Sequence, residues 1–168
     1  MSALARYFVR LGKTVAGYDR TPSPLTRALE SEGISLHYQD RVEDIPSDFL
    51  RAEGTLVVYT PAVPPSHAEL NYFMRAGYDV KKRAEVLGLV SENSRCLAVA
   101  GTHGKTTTSC ILAHLLREAG LGITAFLGGV SEDFGSNFLM EGTSITVVEA
   151  DEFDRSFLWL HPEVACIT

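Results

Sequence analysis

The sequence predicts an α/β fold built on parallel strands, divided into two units near residues 91–94. Three observations carry this reading. Short apolar runs alternate with amphipathic segments along the chain, the pattern of strands joined by crossover helices. One apolar run, Leu97-Ala98-Val99-Ala100, breaks into Gly101-Thr102-His103-Gly104-Lys105 and passes directly into a helical segment beyond Thr108. Another, Ser144–Val148, ends in the acidic cluster Glu149-Ala150-Asp151-Glu152. In a parallel sheet all strand C-termini open on one edge, where ligands bind, so these two strand ends share an edge.

Residues 1–11 carry Leu4, Phe8 and Leu11 at a helical period. Thr14–Tyr18 reads as a strand ending in Asp19. Pro22–Glu32 reads as a helix entered through Thr21 and closed by Gly33. Ile34–Tyr38 is a short strand, and Thr55–Tyr59 is a buried strand followed by the proline-rich turn Thr60–Pro65. A helix over 66–76 stops at Gly77, a brief strand covers Asp79-Val80, and a helix covers 82–90. The polar stretch Ser91–Ser94 marks the boundary, giving units 1–91 and 92–168. In the second unit a helix runs to Glu118 and closes at Gly120. Strands follow over 123–127, ending at Gly128-Gly129, over 144–148, and over 164–168.

A chain of 168 residues with 45% apolar residues can bury a core in each of two small units. A formal charge of −6 argues against nucleic acid as a partner. No apolar run reaches the length of a membrane span, and the first residues are interrupted by arginine, unlike a secretory signal. Three scattered cysteines, Cys96, Cys110 and Cys166, with no CxxC, read as reduced and mostly buried thiols of a cytoplasmic protein.

The stretch from Cys96 to Thr108 carries chemistry. Strand, glycine turn, Lys-Thr and helix in that order form a phosphate cradle. Glycines let backbone N–H groups approach an anion, and the helix N-terminus adds partial positive charge. Lys105 can reach β- and γ-phosphates, and the Thr106 hydroxyl can ligate Mg²⁺. The general pattern G-x-x-x-x-G-K-[ST] asks for glycine where this chain has Val99. Glu149, past a buried strand on the same edge, suits Mg²⁺ ligation, while Glu152 reads as solvated and Asp154 as a helix cap. His103 either meets a phosphate or fills the turn. His114 falls on the apolar side of its helix, and His37, His67 and His161 give no usable signal. The turn from Tyr59 to Pro65 either lines a ligand crevice or is simply rigid.

AGTHGKTTT, the segments Gly128-Gly129-Val130 and Gly135-Ser136-Asn137, Arg83–Gly88 and VVEADEFDRSFLWLHPEVACIT together resemble the Mur ligases of peptidoglycan synthesis. The resemblance covers essentially the whole chain. It implies a truncated Rossmann-like UDP-sugar domain over 1–91 and the first half of a P-loop ATP domain over 92–168. It implies ATP and Mg²⁺ as cofactors and UDP-N-acetylmuramate and L-alanine as substrates. The uninterrupted run Ser156–Pro162 favours L-alanine addition over the tripeptide-recycling branch of the family. Carried over by resemblance, Gly101, Thr102, His103, Gly104, Lys105, Thr106 and Thr107 form the ATP cradle, with Lys105 and Glu149 catalytic and Thr106 and Glu149 on the metal. Asn137, Asp151 and Arg155 face the sugar substrate, and Asp19 and Thr60 touch UDP. A regulatory P-loop module that binds nucleotide without forming a bond is the competing reading.

Both ends read as cut: no strand or glycine turn precedes the first helix, and the last strand has nothing to cover its edge. The expectation is a piece of a longer ligase that is inactive alone. Light scattering and thermal melting of the isolated piece check this, and a monodisperse, cooperatively melting monomer would count against it.

Overall fold

In a computed structural model describing residues 1–168, apart from the side chains of Phe153 and Asp154, the chain divides into Met1–Arg83 and Ala84–Thr168. The expected division at 91–94 therefore moves toward the N-terminus. Helix α4 (Arg83–Ser91) falls with the second unit apart from its first residue. The reason is local. Ser91–Ser94 is a turn tied into that unit, with Ser94 Oγ donating to Ser91 O at 3.1 Å and 2.6 Å from Thr146 Oγ1. Gly88 of α4 packs so close to the backbone of Trp159 that a Cβ would collide with it.

The first unit contains α1 (Ser2–Arg10), β1 (Ala16–Tyr18), α2 (Pro24–Ser31), β2 (Ser35–His37), β3 (Leu56–Tyr59), α3 (Ala68–Arg75) and β4 (Asp79–Lys82). β1 pairs parallel with β2, and β3 parallel with β4, as two two-stranded sheets. Helix α2 is entered through Ser23, not Thr21. The Ser23 hydroxyl accepts from Thr26 N and the Thr26 hydroxyl accepts from Ser23 N, a reciprocal cap that leaves Pro24 at the first helical position. Arg6 of α1 grips Glu32 at the end of α2 at 2.8 Å. The N-terminus of α3 is held by Asp40, whose carboxylate accepts from Ala68 N and Glu69 N at 2.9 and 3.1 Å. Those two bonds help hold Asp40 below the usual carboxylate range, against the opposing effect of its burial.

The second unit is built on β5 (Arg95–Ala100), α5 (Lys105–Glu118), β6 (Ile123–Ser131), β7 (Ser136–Met140), β8 (Ile145–Glu149) and β9 (Val164–Ile167). Their sheet has the order β7-β6-β8-β5-β9. Every pairing is parallel except β6 with β7, so the α/β fold expected from the sequence is built on a parallel-rich sheet with one antiparallel edge strand. Two sequence expectations change here. Gly128-Gly129 do not end β6, which continues to Ser131, and the Ser136-Asn137 segment opens a strand that the sequence reading did not assign. Between the pairs Phe126↔Phe138 and Ser131↔Ser136 the register shifts, so the double glycine marks an irregularity within the strand.

Alternation along the strands decides what faces α5. Ile123, Ala125 and Leu127 of β6 and Ile145 and Val147 of β8 gather with Ala113 of α5 in one buried cluster. Leu97 of β5 and Cys110, Leu112 and Leu116 of α5 pack against it. Thr124, Phe126, Thr146 and Val148 alternate with these and are buried on the opposite face. The cysteines form no disulfide, and Cys166 on β9 is exposed rather than buried.

Ile123 is fully buried in this cluster. In the full-length protein Ile123→Ala is expected to cost about 2–5 kcal/mol and Ile123→Val about 0.5–1.5 kcal/mol. Denaturant titration reads both, and equal small losses would show that the cluster is not close-packed.

Candidate functional site: an anion cradle at the sheet edge

The cradle starts where β5 ends. Gly101 has φ +130°, and a Cβ there would meet Thr168, so only glycine fits this turn. Gly104 has φ +82° and is the N-cap of α5, where no side chain caps the helix. Gly104 has no side chain to cap the first N–H groups of α5, which lie where the helix dipole favours an anion. The Thr168 hydroxyl donates to the His103 carbonyl, and Thr168 N donates to Ala100 O at 3.0 Å. His103 thus contributes a carbonyl that holds the loop in shape.

Lys105 opens α5, and its ammonium reaches back over the loop to Gly101 O at 2.6 Å. One turn position further, the Thr106 hydroxyl donates to Glu149 Oε2 at 3.1 Å. Glu149 follows Ile145 and Val147 at the two-residue period, so its side chain leaves β8 on the α5 face. Its second oxygen accepts from Gly128 N at 2.6 Å. A Cβ on Gly128 would fall on that carboxylate, which explains the glycine. Lys105, Thr106 and Glu149 are brought together at one rim, as the sequence expectation placed them.

Glu152 departs from expectation. It is not simply solvated: its two oxygens lie 3.2 and 3.0 Å from Lys105 Nζ. This hydrogen bond raises the Lys105 pKa above the ordinary lysine value, with Asp151 and Glu149 adding to it, and lowers that of Glu152. Asp151 lies between the two glutamates, and its carbonyl accepts from Phe157 N at 3.1 Å. Arg155 is exposed with φ +54°. Asn137 lies on β7 opposite the irregular stretch of β6 that carries Gly128. The side chain of Asp154, expected as a helix cap, lies outside the described residues. Thr107 occupies the first turn of α5 and is exposed. His114, read from the sequence as lying on the apolar side of its helix, has a half-exposed side chain 3.4 Å from Asp133.

In the first unit, Asp19 follows β1 and its carboxylate accepts from Thr21 N at 3.1 Å, an Asx turn. Thr60 follows β3, and its carbonyl accepts from Val63 N at 3.0 Å, closing the proline-rich turn. Both sit at the C-terminal ends of strands, in separate sheets. The histidines without sequence signal turn out to be organised. His37 Nε2 is 2.7 Å from the buried Glu69, and His67 Nδ1 is 3.1 Å from Asp40. The Tyr18 ring packs against both histidines. Among residues the sequence reading missed, Gly128 had a signal, a glycine just past an apolar strand, whereas the roles of Glu152 and Thr168 depend on contacts formed only in three dimensions.

The arrangement suits a triphosphate with a divalent cation. An uncapped helix start and a lysine face the loop, and two hard oxygen donors, from Thr106 and Glu149, stand side by side. Mg²⁺ takes such a pair while keeping water and phosphate oxygens at its other positions.

Comparison with known proteins defines the class. A model described as Mur ligase family, catalytic domain, matches residues 1–95, and the chain belongs to this family. The chain is 59% identical over 168 residues to UDP-N-acetylmuramate--L-alanine ligase of Flavobacterium psychrophilum. It is 57% identical over 169 residues to the enzyme of that name from Parabacteroides distasonis. Each alignment covers 100% of this chain and 37% of the relative, so the chain spans little more than a third of their length. Among solved structures, UDP-N-acetylmuramate-alanine ligase from Thermotoga maritima superposes with a TM-score of 0.87 at 28% identity, covering 99% of this chain and 38% of that one. UDP-N-acetylmuramate:L-alanyl-gamma-D-glutamyl-meso-diaminopimelate ligase from Neisseria meningitides gives 0.87 at 26% identity, covering 100% and 57%.

Gly128→Ala tests the seating of Glu149. The collision is with the end of a flexible side chain, so the fold is expected to tolerate it while Glu149 leaves Thr106. In the full-length protein, Mg²⁺ affinity in the presence of nucleotide is expected to fall about 10–100-fold at an unchanged melting temperature. Titration calorimetry and thermal melting measure the two, and unchanged Mg²⁺ affinity would remove Glu149 from the metal site.

Proposed function

We propose that the full-length protein is an ATP-dependent ligase that joins L-alanine to the lactoyl carboxylate of UDP-N-acetylmuramate. This is a step of peptidoglycan precursor synthesis carried out in the cytoplasm. The convergence of Lys105, Thr106 and Glu149 on one rim carries the reading. The identity to ligases of that name supports the choice of substrates. Among the described residues no helix is long and apolar enough to cross a membrane.

A carboxylate is a poor electrophile, so the reaction needs activation before the amine can attack. A carboxylate oxygen of the substrate bonds to the γ-phosphorus of ATP, and ADP leaves. The L-alanine nitrogen then bonds to the acyl carbon, inorganic phosphate leaves, and the amine loses a proton. Phosphoryl transfer depends on positioning and charge neutralisation more than on covalent help. In this reading Lys105 neutralises charge at the β- and γ-phosphates, and the loop from Gly101 to Thr107 cradles them with backbone N–H groups. Thr106 and Glu149 would hold Mg²⁺, which would supply charge neutralisation at the phosphates. Asn137, Asp151 and Arg155 orient the sugar substrate near the cradle, and Asp19 and Thr60 contact its UDP part in the first unit.

The recycling ligase of the same family is the second reading, since the Neisseria enzyme superposes as well as the Thermotoga maritima L-alanine enzyme does. The much higher identity to the L-alanine enzymes weighs against it. One assay separates the readings. With ATP, Mg²⁺ and UDP-N-acetylmuramate, ADP release by the full-length protein is expected to depend on L-alanine and not on the tripeptide. ADP release that ignores both acceptors would indicate a nucleotide-binding module that forms no bond. Lys105→Ala is expected to lower turnover at least 10²–10³-fold with the melting curve unchanged. Near-normal turnover in that variant would remove Lys105 from the mechanism.

A further inference from the structure

Lys105 already has an anion. Its ammonium is held between Gly101 O at 2.6 Å and both oxygens of Glu152 at 3.2 and 3.0 Å. Two oxygens of one carboxylate around one ammonium copy what phosphate oxygens would present to it. The two partners differ in freedom. The Lys105 side chain is 17% exposed and that of Glu152 is 56% exposed. The backbone around Glu152 is tied down, with Ala150 N donating to Val99 O at 2.8 Å and Phe157 N donating to Asp151 O at 3.1 Å. The movable element is therefore the Glu152 side chain. Glu149 is otherwise engaged, with Thr106 and Gly128 N on its two oxygens.

We propose that Glu152 is an internal stand-in for phosphate, a positioning residue that holds Lys105 over the loop and is displaced when a triphosphate arrives. The proposal rests on reading Lys105 as the phosphate lysine. A carboxylate left in place would stand beside the β- and γ-phosphates, where like charges repel. The swap exchanges one anion for another on Lys105, so the lysine is positioned before the substrate arrives. It also sets a threshold. A multiply charged triphosphate with several backbone contacts displaces Glu152, whereas inorganic phosphate, with fewer contacts, does not. The cost of breaking an exposed pair corresponds to about two- to fivefold in affinity.

Calorimetric titration of the full-length protein with ATP, AMP and inorganic phosphate tests this. Glu152→Gln is expected to bind ATP about two- to fivefold more tightly than the parent. AMP, which has no β- or γ-phosphate, should bind the two proteins equally, and inorganic phosphate should bind only the variant measurably. Glu152→Asp keeps the charge but is one methylene short, and its ATP affinity is expected to rise toward that of Glu152→Gln. Equal or weaker ATP binding by Glu152→Gln would overturn the proposal. So would Glu152→Asp matching the parent while Glu152→Gln tightens, because simple repulsion would then explain the gain. A parent protein that binds no ATP would instead overturn the reading of the cradle itself.

Discussion

The pairing of β5 with β8 is the constraint on which the site depends. These strands run parallel in a register that sets Val99 opposite Glu149. Ala150 N then donates to Val99 O at 2.8 Å, so the acidic segment leaves the sheet alongside the start of the glycine turn. Val99, Val147 and Val148 are fully buried around this pairing, which makes a slip costly. A slip of one residue would turn Glu149 to the other face of the sheet, away from Thr106. The chemistry of the rim is thus fixed by apolar packing a few ångströms below it.

Close approach at that rim is made possible by missing side chains. Gly101 lets Thr168 lie against the turn, and Gly128 lets the Glu149 carboxylate reach a backbone N–H in β6. Charge is balanced within the same few residues. Lys105 faces Glu152, with Asp151 and Glu149 close enough to raise its pKa further. A lone lysine over an uncapped helix start would concentrate positive charge in a narrow space. The acidic segment offsets it and leaves the loop ordered around an ammonium.

The first unit shows a different economy of polar groups. Glu69 is buried, and it accepts from Arg41 N at 3.2 Å besides meeting His37. Asp40 caps α3 while lying beside His67, whose Nδ1 also accepts from Leu70 N at 3.3 Å. These contacts tie the segment after β2 to the start of α3. Glu69 is tolerated in the interior because it finds partners, whereas the Nε2 of His67 is buried without one among the described residues.

The order of helices and strands was legible in the sequence because it depends on short-range pattern. The run Leu97–Ala100, the glycine turn and helix α5 are each defined by neighbours in the chain, and so is the strand before Glu149. Beyond the reach of local pattern lay β7, because Gly135-Ser136-Asn137 looks like a turn until β6 is there to pair with it. Glu152 looked solvated because nothing nearby in sequence supplies its cation; Lys105 is 47 positions away and meets it only after the sheet forms. His37 and His67 were silent for the same reason, since their partners come from other elements. The sequence by itself determined which residues could hold a charged ligand. The tertiary structure decided which of those charges face one another, because hydrogen bonds and ion pairs form by distance in space and leave no period in the chain.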